Sequence, residues 1–169
     1  MGIPELFTDK EERNDFFHEV TRLLRERLNP DLRHFKTTFY TGKNYIRFSY
    51  SGQSAAFYEF QFATSRSKQH TAIFGEGDHE VLAFYYGGSR IEKRKAWLQT
   101  IEPYIDSIRS QLGKEVFHGG WGENKDWTFI AVELTENDLG CDVDRYANAI
   151  VAFIEATHYP ISKTFQAIS

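Results

Sequence analysis

The chain has almost no cysteine. Cys141 is the only one in 169 residues, which excludes an internal disulfide and any zinc site built on several thiolates, and fits a reducing compartment. No apolar run approaches the ~18 residues of a membrane span. The start MGIPELFTDKEER has neither a basic n-region nor an apolar h-region. A cytoplasmic protein with no membrane partner is therefore expected. There is no internal repeat and no low-complexity segment. Positive charge is not in excess either: 20 Lys+Arg face 24 Asp+Glu, for a net charge of -4, so no global basic field draws in nucleic acid. The Walker loop, the Rossmann glycine turn, the G-x-S-x-G elbow and the H-E-x-x-H zinc motif are all missing.

Aromatic residues are abundant: 15 Phe, 9 Tyr and 3 Trp exceed what a core of this size needs, so some of these rings are expected on a surface. Charge is also unevenly placed. Residues 111–169 carry four basic and nine acidic side chains, leaving 16 of the 20 basic and 15 of the 24 acidic ones to residues 1–110. A basic face on the first part is compatible with an acidic chain.

The pattern TDKEERNDFFHEVTRLLRERL sets Phe16, Phe17, Val20, Leu23, Leu24 and Leu28 three and four apart, with acids early and arginines late. It predicts an amphipathic helix ended at Asn29-Pro30. The period then changes to two. HFKTTFY, NYIRFSYS, AAFYEFQFAT, QHTAIFG and EVLAFYY, divided by turn-forming stretches, predict five sequential strands in an antiparallel meander. Over SRIEKRKAWLQTIEPYIDSIRSQLG the apolar stripe keeps its phase across Pro103, which predicts one long helix kinked there or two collinear segments with Pro103 at a helix N1 position, and Gly113 serves as C-cap. EVFHGGWGENKDWTFIAVEL predicts two more strands, and DVDRYANAIVAFIEATH a third helix stopped by Pro160. The expected architecture is a single α+β domain over 1–169, of order α-β5-α-β2-α, with an antiparallel sheet of about seven strands and three helices mainly on one face.

The stretch EVLAFYYGGSRIEKRKAWLQTIEPYIDSIRSQLGKEVFHGG, with WTFIAVEL and a closing helix bearing Phe165, resembles the prokaryotic domain-of-unknown-function family 4268. The likeness extends over roughly residues 10 to 168 and is carried by apolar spacing and a few glycines. It implies a module of the kind attached to endonuclease-like or restriction-associated proteins, and brings no catalytic residues with it.

Two segments are candidate sites. In YYGGSRIEKRKA, Arg90, Lys93, Arg94 and Lys95 crowd a helix start, where the dipole disfavours each cation by up to about 1 kcal/mol. Ser89-x-x-Glu92 has the form of a capping box, which by itself starts a helix with a solvated basic face. Alternatively Gly87 and Gly88 let an anion reach the helix amides, with Arg90, Lys93 or Arg94 neutralising it. The second segment runs from His118 to Trp127. Its three glycines around Trp121 and Trp127 describe either a stacking surface or a wide hairpin whose indoles fold back onto the core.

Catalytic constellations are not found. Glu123-Asn124-Lys125 spells the E-x-K element of restriction-type nucleases, but in a glycine-rich turn and without an acid on a neighbouring strand. Glu76, Asp78, His79 and Glu80 lack the order of a calcium loop. His18 and His158 have no metal-binding spacing. Asp142 and Asp144 oppose thiolate formation at Cys141. No cofactor and no metal is expected. The alternation of Tyr45, Arg47 and Ser49, and of Phe57, Glu59 and Gln61, predicts a second sheet face left open and polar, as in sheets that hold nucleic acid or dimerise; the negative overall charge favours a homodimer.

The expected function is a non-enzymatic interaction module for a nucleic acid or a protein partner in a prokaryotic DNA-processing or defence setting. A binder of nucleotides or other phosphorylated small molecules is the alternative, and a divalent-metal nuclease a second one. The expected ligand-facing residues are Gly87, Gly88, Ser89, Arg90, Lys93, Arg94, Trp121 and Trp127.

Overall fold

The computed structural model describes residues 10–29, 45–50, 55–61, 73–75, 80–87, 90–121, 127–135 and 142–168. Helix α1 spans Lys10–Arg27, with Glu11 and Glu12 in its first turn and Arg25 and Arg27 in its last, each sign opposing the nearer end of the dipole. Arg22 bridges Glu19 and Glu26 on the exposed side. Phe17, Val20, Leu24 and Leu28 form the buried stripe.

Strands β1 (Tyr45–Ser49), β2 (Ala56–Gln61) and β3 (Glu80–Tyr86) form an antiparallel meander. Helix α2 (Ile91–Leu112) leads from β3 to the hairpin of β4 (Phe117–Trp121) and β5 (Trp127–Leu134), which returns to pair β5 against β3. The sheet order is β1-β2-β3-β5-β4, antiparallel throughout. Strand β3 lies in the middle and is buried along six of its seven residues.

The α+β class is as expected, but among the described residues the sheet has five strands and not about seven. Of the expected strand QHTAIFG, Ile73 and Phe74 lie in a helical turn instead. Both pack on the second sheet face, where Phe74 meets Phe117 edge-on at 4.8 Å. HFKTTFY lies outside the described residues.

Helix α2 buries Trp97, Ile101, Ile105 and Ile108 and runs unbroken through the exposed Pro103. It ends at Gly113, whose left-handed φ of 63° lets its N–H donate to the Arg109 carbonyl at 2.9 Å. Helix α3 spans Val143–Ile168, so Pro160 does not stop it. A proline inside a helix costs about 3 kcal/mol. Burying Ile161 and Phe165 beyond it returns roughly 1.5–3 kcal/mol for each side chain, enough to outweigh that cost. Phe165 lies 5.1 Å from the Tyr50 and Tyr86 rings and 6.4 Å from Trp97. Helix α3 is the middle helix, packed against both α1 and α2, and Arg27 of α1 ties to Asp144 and to Asn148 of α3. The main core fills the space between these helices and one sheet face.

Candidate functional site

Both segments singled out in the sequence gather at one end of the sheet. Gly87, directly after β3, donates its N–H to the Ala55 carbonyl at 2.9 Å and so extends the β2–β3 ladder by one step. Trp127 opens β5 in register with Trp121, the last residue of β4. A Cβ on Gly87 would fall 2.6–2.8 Å from three carbons of the Trp127 ring. The indole therefore lies on the bare backbone of Gly87, and it also meets Phe57 edge-on at 5.6 Å. Trp127 is half-buried. Gly87 gives room to an indole, and its amide is already bonded to Ala55.

Gly88 and Ser89 lie outside the described residues. The N-cap of α2 is Arg90, in extended conformation (φ -115°, ψ 131°), with no side-chain hydrogen bond capping the helix. The N-cap thus falls one residue after the serine of the expected box. Arg90, Lys93 and Lys95 are exposed, with Glu92 between them. Arg94 is buried, at 9% exposure, and is no part of a solvated face. It sits close enough to the Tyr86 hydroxyl to offset part of the upward shift that burial imposes there. The structure thus brings Gly87, Arg90, Lys93, Arg94 and Trp127 to one end, with the backbone of Trp121 beside them.

The second sheet face is not open. Val81, Ala83, Tyr85, Phe129 and Ala131 on it are buried, with Phe57, Ile73, Phe74, Phe117 and Trp127 packed against them. Within that face lies an ion pair whose burial was not expected. Arg47 stands directly opposite Glu59 in the β1–β2 register and reaches one carboxylate oxygen with Nη2 at 2.7 Å and Nε at 3.0 Å. The guanidinium also lies 4.0 Å over the Phe57 ring. Burial pushes the Glu59 carboxyl above the usual range, and Arg47 pulls it back only in part. The sequence carried the signal in a turn that places residues 47 and 59 at equal distances on either side.

Other acids are engaged structurally: Asp106 and Glu115 hold Arg109, Asp144 holds Arg27, and Glu19 and Glu26 hold Arg22. His18 is exposed on α1, and His158 of α3 is half-buried, with its pKa lowered by that burial. Among the described residues no three His, Cys, Asp or Glu side chains gather as metal ligands, and no helix is long and apolar enough to cross a membrane. Glu76, Asp78, His79, Glu123, Lys125 and Cys141 lie outside the described residues. Comparison with protein-family models, curated proteins and solved structures gives no match. The family resemblance rests on the residues quoted for it.

Proposed function

We propose that this chain is a non-enzymatic interaction module of the cytoplasm that binds nucleic acid at the sheet end formed by Gly87, the start of α2 and Trp127. The observation that carries the reading is the juxtaposition of an uncapped helix start bearing exposed Arg90 and Lys93 with a half-exposed indole. Exposed cations at a helix start suit phosphate, and an indole face suits a base. The prokaryotic DNA-processing setting rests on the family resemblance alone.

The test is fluorescence anisotropy with short single- and double-stranded DNA across a salt series, alongside a thermal-shift panel that includes nucleotides. Binding is expected to weaken with salt. Arg90→Ala/Lys93→Ala should reduce the salt slope by about 2, one for each phosphate that is no longer neutralised. Trp127 fluorescence should change on binding in the wild type. Stabilisation by nucleotides without DNA binding would replace this reading with the small-molecule one. Mg²⁺-dependent cleavage abolished by Glu123→Gln would replace it with the nuclease. No response to any of these ligands would leave a protein partner.

A further inference from the structure

The sheet begins at β1 and ends at β4. Strand β4 bonds β5 on one side, and among the described residues no strand pairs with its other side. Such an edge offers N–H and C=O groups to any passing strand, and natural edges are usually blunted by Lys, Pro, a bulge or an inward charge. Strand β4 has none of these. Its sequence FHGGW is uncharged and proline-free, and its register with β5 runs through all five residue pairs without a bulge.

We infer that β4 is the self-pairing edge of a homodimer, two copies meeting antiparallel about a two-fold axis at Gly119 so that their sheets become one. This inference does not depend on the nucleic-acid reading. A second copy fits because the strand is complementary to itself. Centred at Gly119, the pairing sets glycine against glycine at the axis, His118 against Gly120 of the second copy, and Phe117 against its Trp121. Directly opposed residues of an antiparallel pair share a face. Phe117 and Gly119 stand in register with Ala131 and Phe129 on the aromatic second face, and the two-fold pairing sets position 117 of each copy against position 121 of the other along that face. Phe117 already lies edge-on to Phe74 at 4.8 Å, so the edge carries an aromatic pair beside the axis. On the opposite face an exposed imidazole meets a residue with no side chain. A slip of one residue turns every side chain to the wrong face, and a slip of two leaves an aromatic without its counterpart.

Charge selects the same strand. Two chains of net charge -4 repel, and a contact with no charged residue sets no like charges opposite each other. The arrangement is isologous and closes on itself, leaving neither β4 edge free to recruit a third chain.

Sedimentation equilibrium of the full chain should give twice 19.7 kDa. A nitroxide on His118→Cys, in a Cys141→Ser background, should report one intermolecular distance under about 20 Å, because the two sites lie diagonally across adjacent strands. His118→Asp, an exposed change, places two carboxylates across the axis and should weaken the dimer about tenfold or more while the monomer keeps its melting behaviour. A monomer at about 100 μM, a dimer whose labels lie beyond about 30 Å, or an unchanged dimer in His118→Asp would each overturn the proposal.

Discussion

Replacing Arg47 by Met tests the buried ion pair of the second sheet face. The Glu59 side chain is 8% exposed and that of Arg47 32%, so the carboxylate is the deeply buried partner. Removing one member of a buried pair costs about 3–5 kcal/mol, because the remaining charge is left without compensation. The exposed third of Arg47 moves the expectation to the lower end of that range. Loss of the guanidinium over Phe57, about 0.5–1 kcal/mol, lies within the same figure. We expect Arg47→Met to cost about 3 kcal/mol, or roughly 6–12 °C in Tm for a domain of this length. Arg47→Met/Glu59→Leu should return to within about 1 kcal/mol of the wild type, since apolar side chains of similar volume replace buried pairs well.

The same pair has a pH signature. Between the ordinary carboxylate value and the raised value of Glu59, the native state holds a proton that the unfolded chain has released. Stability from this group is therefore full below the ordinary value and falls as pH rises through the window. Glu59→Gln removes that fall, so the difference between mutant and wild type should shift in the mutant's favour as pH rises from about 4 to neutrality. Urea unfolding at a series of pH values reads both effects. If Arg47→Met costs less than about 1 kcal/mol, or the double variant is no better than the single one, then Glu59 is hydrated and the burial argument fails.

Three further changes probe the rest of the scaffold. Gly87→Ala drives a methyl into the Trp127 ring and should cost about 1–3 kcal/mol, with a shift in tryptophan emission as the indole moves. Gly113→Ala puts a Cβ on a residue with φ of 63° and should lower stability by about 1–2 kcal/mol, visible as a Tm decrease without loss of helical circular dichroism. Tyr58→Phe deletes a hydroxyl that lies 2.9 Å from Thr157 Oγ1. Because that threonine donates its own proton to the Phe153 carbonyl, Tyr58 is the donor, and chemical denaturation should report a loss of about 1 kcal/mol.

What was legible in the sequence is what depends on period. Alternation in NYIRFSYS, AAFYEFQFAT and EVLAFYY marks strands because each has one face on the helices, and three-four spacing marks α1 and α2 for the same reason. The misreadings have a common physical origin: a local rule met a partner distant in sequence. Pro160 ends a helix locally, yet Phe165 five residues on reaches Tyr50, Tyr86 and Trp97, and that burial carries α3 through. Glycine at position 87 is equally consistent with room for phosphate and with room for a ring. Trp127, forty residues away in the chain, occupies the space. Arg94 belongs to a run of cations that looks solvated, but its position one turn before Trp97 puts it on the buried stripe of α2. Alternation puts Arg47 and Glu59 on the correct face and in the wrong environment, because it says which residues share a side and nothing about what covers that side. Of the expected site residues, Arg90 and Lys93 are exposed and Trp127 is half-buried, while Arg94 and Gly87 belong to the packing at that end of the sheet. Any ligand of that end must use the exposed groups alone, which is why Arg90 and Lys93, and not Arg94 or Gly87, are the substitutions that separate binding from folding.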